Sequence, residues 1–211
     1  MRHVRQLTDA TDFAAMAAIG ADAYPGIKIV TEEDRQRLQQ RLITTSEDPT
    51  VEFYGLFEDQ HLRGGMRLHD FSMNVFGTMI ASGGVGFVAV DLLHKKAAVA
   101  KDLLAFFLRR CRERDQSMAL LYPFRPDFYK KMGFGYGTKI SQYRVRPASL
   151  PRGPSKAHAR RLNQSDVLQM TAGYNRFCAA WCISTMAARP CKKAASSIWR
   201  FSSTSQNFPR C

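Results

Sequence analysis

Apolar positions along this chain change period several times, and each change marks an expected element. Residues 4–7 alternate as a short strand, after which Thr8 or Asp9 can cap a helix carrying Phe13, Met16, Ala17 and Ile19 on one side. Past the turn-like Tyr24-Pro25-Gly26, Thr31 and Asp34 form a capping pattern for a second helix that runs through Leu38, Leu42 and Ile43 and ends before Pro49. The period then shortens to two. Residues 51–57 and 62–68 read as strands joined by a turn at 58–61, and a further pair of strands is expected over 75–81 and 85–90, giving an antiparallel meander.

Helical spacing returns with Val99, Leu103, Leu104, Phe107, Leu108 and Cys111, while Lys101, Asp102, Arg109, Arg110, Arg112 and Glu113 lie mostly opposite. Residues 118–122 then read as a short buried strand. A helix crossing between it and the strand ending at Val90 makes the two parallel, so the expected fold is α/β (α+β): a mixed, mostly antiparallel sheet with a central βαβ unit and flanking helices. Pro126 and Asp127 begin a short helix over 128–132, glycines punctuate 133–137, and 141–145 reads as a closing strand.

Pro, Ser and Gly cluster at 147–154, which sets the expected organisation: a first unit over 1–147, a linker over 148–159, and the start of a second, incomplete unit over 160–178, where Ser165 or Asp166 caps a helix through Tyr174. From 179 to 211 the apolar periodicity lapses. Cys182, Cys191 and Cys211 and both tryptophans fall in that stretch, and no acidic residue follows Asp166, so it is expected to be an atypical, disordered tail, as a frameshifted or prematurely ended reading would give.

Composition narrows the class. The 211 residues are 45% hydrophobic, enough to fill a core. The long uncharged run 71–90 is interrupted by glycines and polar residues that suit strands better than a membrane helix. No secretory signal opens the chain, and the cysteines lack zinc or disulfide-scaffold spacing, so a cytoplasmic setting and no metal are expected. A net charge of +13 raises the question of nucleic acid, but the cations are spread along the chain without a recognition motif, so no nucleic-acid partner and no membrane partner is expected.

Chemistry concentrates in GFVAVDLLHKKAAVAKDLLAFFL, residues 86–108. A buried strand runs into a basic turn and then a helix whose first turn is small. That is a phosphate-binding layout, because free N–H groups and the positive end of the helix dipole meet the anion while His94, Lys95 and Lys96 add charge. An anionic cofactor is the expected ligand.

The combination of Val-x-Val strand, basic turn, long helix, parallel strand and aromatic segment resembles the GNAT family of acyl-CoA-dependent N-acetyltransferases. Within it, GGMRLHDFSMNVFGTMIASGGVGFVAVDLLHKK and the later PDFYKKMGFGYG look most like the enhanced intracellular survival (Eis) type. The likeness covers roughly 1–145, and less clearly 160–177. It implies that the first unit is a GNAT domain, that the second is GNAT-like, and that acetyl-CoA is the donor. The backbone at Val88, Ala89 and Val90 would pair with pantetheine amides, and the turn formed by Lys95, Lys96, Ala97, Ala98, Val99, Ala100 and Lys101 would wrap the pyrophosphate. Phe124 and Arg125 would border the cofactor.

The resemblance further implies that Tyr129 protonates the departing sulfur, a role suited to a phenol that stays protonated at neutral pH. Family members commonly carry glycine where Ala98 stands and a second small residue at Ala100. Alanine accepts helical φ, but its Cβ narrows the clearance and resists positive φ. The expected function is acetyl transfer from acetyl-CoA to a primary amine, on a small molecule or a peptide, by direct attack in a ternary complex. The alternative is a non-catalytic CoA-binding or degenerate fragment. Full-length relatives of this type imply a homo-oligomer and a base supplied by a C-terminal carboxylate, which Cys211 cannot be assumed to provide. Glu52, His61, His69 and Asp70 form no triad or metal spacing and receive no role, and Cys111 reads as a buried filler.

Overall fold

The structure, a computed structural model, describes residues 1–137, 142–149, 153, 160–180 and 183–187. Strand β1 (Arg2–Gln6) leads to helices α1 (Ala10–Ala23) and α2 (Glu32–Ser46), then strands β2 (Val51–Glu58), β3 (His61–Val75) and β4 (Thr78–Val90). A short 3-10 turn at Leu92–His94 precedes α3 (Val99–Glu113), β5 (Met118–Leu121), α4 (Pro126–Lys130), α5 (Val167–Ala180) and β6 (Ile183–Ala187). Five strands lie in the order β1-β2-β3-β4-β5, antiparallel except for β4 and β5, which run parallel across the α3 crossover. This is the mixed sheet with a central βαβ unit that the periodicity implies.

Capping explains the first two helix starts. Asp9 accepts a hydrogen bond from Asp12 N at 2.8 Å, and Thr31 with Asp34 completes a capping box at α2. Asp12 also takes Arg5 Nη1 at 2.6 Å, tying α1 to β1 and holding its carboxyl below the usual carboxylate range. Both hairpins turn on left-handed residues, Asp59 and Gln60 between β2 and β3, and Phe76 and Gly77 between β3 and β4, the primed-turn geometry that matches strand twist.

Three expectations change. The two short strands foreseen at 75–81 and 85–90 are one continuous strand, because the turn falls earlier, at Phe76 and Gly77, with Asn74 Oδ1 accepting from Gly77 N at 2.8 Å. The strand expected at 141–145 is absent over the described residues 142–146, where Tyr143 and Val145 stand 85% and 62% exposed and pair with no described strand; Ser141 lies outside the described residues. Asn163, rather than Ser165 or Asp166, caps the turn before α5, and that helix continues past Tyr174 to Ala180. Within the stretch from 179 onward, β6 pairs antiparallel with β3 from Ser72↔Ala187 to Val75↔Ile183, along the track vacated where β2 ends at Val51↔His69. The rest of that stretch, from 188, lies outside the described residues. Among the described residues no helix is long and apolar enough to cross a membrane.

The sheet separates two cores. On one face α1 and α2 pack Phe13, Met16, Ala17, Leu38 and Leu42 against Phe53, Phe57 and Ala89. On the other, α3 and α4 pack Leu103, Leu104, Phe107 and Tyr129 against Leu56, Met66, Leu68 and Val85. At roughly 25 cal/mol per Å² of apolar surface, two such layers dominate the stability and hold the sheet rigid between them. Rigidity matters at one place above all: the rim where β4 and β5 part.

Candidate functional site

β5 is short. It pairs with β4 only from Ser82↔Met118 to Val85↔Leu121, while β4 runs on to Val90. Among the described residues, 86–90 therefore have β3 on one side and no strand on the other. A bulge accompanies the parting, since β3 advances two residues from Gly65 to Arg67 while β4 takes three from Ala89 back to Gly86, and Phe87 adopts φ 49°. Beyond the bulge Asp91 N donates to Arg63 O at 2.9 Å, so by alternation Ala89 faces β3 while Val88 and Val90 turn their backbone groups to the open side. Their side chains pack on the α3 face, as expected of strand residues that offer only backbone.

Where the open edge ends, the chain turns through His94, Lys95, Lys96, Ala97 and Ala98 into α3. Lys95, Lys96, Ala97, Ala98 and Lys101 are exposed, Ala100 is half-buried, and Val99 is anchored in the core at 2% exposure. Ala98 occupies the N-cap position in the left-handed conformation, φ 59° and ψ 12°, with no side-chain cap. The sequence argument expected alanine to avoid positive φ here. The turn imposes it, because the chain must reverse between the 3-10 turn and a helix whose first residue is fixed in the core. With no cap, the N–H groups at the start of α3 point outward, which is where a helix favours an anion. His94 contributes less free charge than its sequence position suggests, since its Nδ1 lies 3.1 Å from Asp91 Oδ2. Arg2, from β1, reaches this turn, donating to Ala97 O at 2.8 Å and pairing with Asp102 at 3.0 Å. Nothing in the sequence placed it there.

Tyr129 is carried by α4, in the same cluster as Val88, Val90 and Val99. It is only 5% exposed and ringed by Phe124, Phe128 and Phe134, each edge-on at 6.0, 5.2 and 6.2 Å. Burial pushes its phenol above the ordinary value. Phe124, 67% exposed, forms the outer wall of that ring cluster. Arg125 is not drawn toward the open edge; it pairs with Asp127 at 2.8 Å on the surface of α4.

A second tyrosine was read from the sequence only as part of a turn. Tyr24, at the C-terminus of α1, stacks on Phe87 at 5.2 Å with nearly parallel rings, and its hydroxyl donates to Val88 O at 3.1 Å. Burial and then the nearby Tyr129 push its pKa up to about 12, with Arg67 opposing. The two phenols thus approach the open edge together. Tyr24 was findable only through the bulge that turns Phe87 toward α1.

Arg67 and His69 of β3 lie on this α1 face: the Cβ that Gly65 lacks would strike Met16 of α1, and alternate strand residues share a side. His69 stacks on Phe71 at 5.3 Å, and burial followed by Arg67 pushes its pKa down to about 3, so it is neutral. On the opposite face Glu52 and Asp70 accept from Arg114 at 2.6 and 3.1 Å, a structural link between sheet and α3. His61 sits exposed at the β2–β3 turn. Burial raises the Cys111 thiol to about 11, in keeping with a core residue. Among the described residues no group of histidine, cysteine and carboxylate side chains is placed to hold a metal.

The sequence model for the acetyltransferase (GNAT) domain matches residues 3–137. Solved structures share the fold. A transcriptional regulator from Bacillus halodurans C-125 superposes with a TM-score of 0.59 at 16% identity, over 69% of this chain and 100% of its own. A predicted acetyltransferase from Clostridium acetobutylicum, solved with acetyl-CoA, gives 0.54 at 15% identity, over 68% and 96%. A probable N-acyltransferase from Enterococcus faecalis V583 gives 0.53 at 18%, over 65% of this chain but only 33% of that one, so the chain spans about a third of that protein's length. No curated protein sequence matches. A sheet parted at β4 and β5, an uncapped helix start beyond it and a domain match across both make the chain a member of the GNAT acetyltransferase family.

Proposed function

We propose that this protein is an N-acetyltransferase that moves an acetyl group from acetyl-CoA to a primary amine by direct attack in a ternary complex. The observation carrying this reading is the open edge at 86–90, which leads into the uncapped start of α3 and has Tyr129 alongside. The fit is chemical. An extended amide chain joins an exposed strand edge by backbone pairing, and a diphosphate joins a helix start through N–H groups and the dipole. Val88 and Val90 would hold pantetheine, while Ala89, whose backbone faces β3, drops out of the set the sequence suggested; Lys95, Lys96, Ala97, Ala98, Val99, Ala100 and Lys101 would wrap the diphosphate, with Phe124 against the cofactor. The surface pair with Asp127 makes Arg125 the weakest member of that set.

Acetyl-CoA supplies a thioester whose C–S bond breaks as the amine's C–N bond forms. The chain's part is to hold the carbonyl beside the bulge, to keep water out with the aromatic ring cluster, and to deliver the Tyr129 proton to the sulfur. A phenol raised by burial keeps that proton until a thiolate needs it. The amine must shed its own proton, and no residue is assigned to take it.

The likeness of 64–96 and 126–137 to the Eis type is part of the same proposal, as is a small-molecule or peptide acceptor. A second reading, CoA binding without turnover, is favoured by Ala98, which stands at φ 59° at the N-cap of α3 with a Cβ that narrows the approach to the N–H groups there. Calorimetric titration with acetyl-CoA followed by a thiol assay of CoA release decides between them. Binding with acceptor-dependent release supports the transferase, binding alone supports the second reading, and no binding refutes both.

A further inference from the structure

Arg67 and His69 converge on one point of the parted sheet. A Cβ built on Gly86, the first residue of β4 beyond its pairing with β5, would lie 3.7 Å from Arg67 Nη2 and 4.0 Å from His69 Nε2. Both side chains thus overhang the opening from the α1 face, over a glycine that leaves the strand bare. Tyr24 joins them, since Arg67 acts on its phenol while its hydroxyl rests on Val88 O. The opposite approach, on the α3 face, is taken by the core around Tyr129.

The charge that the geometry places at this opening is the Arg67 guanidinium. Burial lowers the pKa of Arg67, with Arg41 of α2 a minor contributor, and burial with Arg67 keeps His69 neutral against a small opposing effect of Asp48. Glu52 of β2 and Asp70 of β3 face the other way and are held by Arg114. A polyamine or another multiply charged cation entering here would meet a guanidinium at close range. An anion would meet a planar, bidentate donor, flanked by a neutral imidazole and a phenol.

We propose that the acceptor is an anionic amine, a molecule bearing a carboxylate or phosphate that Arg67 holds while its amine reaches the carbonyl beside the β4 bulge. This rests on the transferase reading for the position of the donor, and it names the substrate class of that same site. Arg67 is a specificity-determining binding residue and takes no part in proton transfer.

The test uses the full chain with acetyl-CoA and two acceptor pairs, each with and without an anionic group: glycylglycine against glycylglycinamide, and phosphoethanolamine against ethanolamine, with spermidine as a cation. The measured quantity is kcat/KM, and the comparison is the anionic-to-neutral ratio in wild type against Arg67→Gln, which cancels intrinsic differences in amine reactivity. The ratio is expected to fall at least about ten-fold in Arg67→Gln and to recover in part in Arg67→Lys, which keeps the charge but loses the fork. The carboxylate and phosphate pairs show which anion the site prefers. An unchanged ratio, or spermidine as the best acceptor, overturns the inference.

Acetyl-CoA affinity and the circular dichroism spectrum check that each variant folds. Should acetyl-CoA bind without turnover of any amine, titration with N-acetylglycylglycine still decides: binding at least about ten-fold weaker to Arg67→Gln sustains the anion site while the transferase reading falls. Equal binding, or none, refutes the anion site.

Discussion

Replacing Ala98 by glycine isolates the turn proposed to hold the donor's diphosphate. The residue is exposed, stands at φ 59° and caps nothing with its side chain, so deleting its Cβ costs no packing. An L-residue in the left-handed region carries roughly 1–2 kcal/mol of strain that glycine lacks. Against this, glycine gains unfolded-chain entropy that destabilises the fold by about 0.4–1 kcal/mol. The balance favours Ala98→Gly by roughly 0.5–1 kcal/mol, which for a chain of this size raises Tm by about 1–4 °C. Ala105→Gly is the internal control. It is exposed in the middle of α3, where glycine costs about 0.5–1 kcal/mol, so the two substitutions should move Tm in opposite directions. Acetyl-CoA titration adds a second reading, since the smaller residue widens the approach to the N–H groups at the start of α3 and should tighten binding for Ala98→Gly. Thermal melts in which both glycines destabilise alike would refute the reasoning, because they would place Ala98 in ordinary helical backbone.

Four further outcomes are expected. Tyr129→Phe should lower kcat at least about ten-fold with little change in acetyl-CoA affinity, and an equal loss in both would make Tyr129 a packing residue. Lys95→Gln with Lys96→Gln should weaken acetyl-CoA binding, with the deficit largest at low salt because exposed charges are screened; affinity unaffected at 20 mM salt would contradict a diphosphate at this turn. Tyr24→Phe keeps the stack on Phe87 but frees Val88 O, so acetyl-CoA affinity should rise by roughly two- to ten-fold, the worth of one hydrogen bond; a fall would show that the hydroxyl contacts the donor instead. His69 carries a pH signature. Its folded pKa of about 3 lies below the ordinary 6.5, so the unfolded chain takes a proton that the folded chain refuses, and stability declines as pH falls from about 6.5 toward 3. His69→Gln should flatten the pH 6.5–5 part of that limb in urea melts, and an unaltered slope would contradict a buried neutral imidazole.

Local signals were enough for most of the elements. Asp9 and the Thr31–Asp34 box start their helices where capping chemistry says they must, the apolar stripe of α3 states its buried face, and the parallel sense of β5 follows from the crossover alone. The hairpin at Phe76 and Gly77 was misjudged because Val75 has strand propensity whichever side of a turn it falls on. The expected strand at 141–145 is missing over the described residues 142–145 for a related reason: alternation marks a residue as able to pair, but pairing also needs a partner edge.

The sequence by itself determined the first three helices, the parallel sense of β5, the basic turn and the position of Tyr129 in an aromatic segment, since each is written in the period or residue types of a few consecutive positions. Only the tertiary structure decided that β5 stops at Leu121 while β4 continues, that a bulge turns Phe87 to α1, and that Ala98 is driven to positive φ. It also brought Tyr24, Arg67 and His69 to the same opening from a helix end and a strand far apart in the chain. The reason is physical: where a sheet parts depends on how two cores fill on its opposite faces, a balance of packing summed over the whole domain that no local window of residues contains.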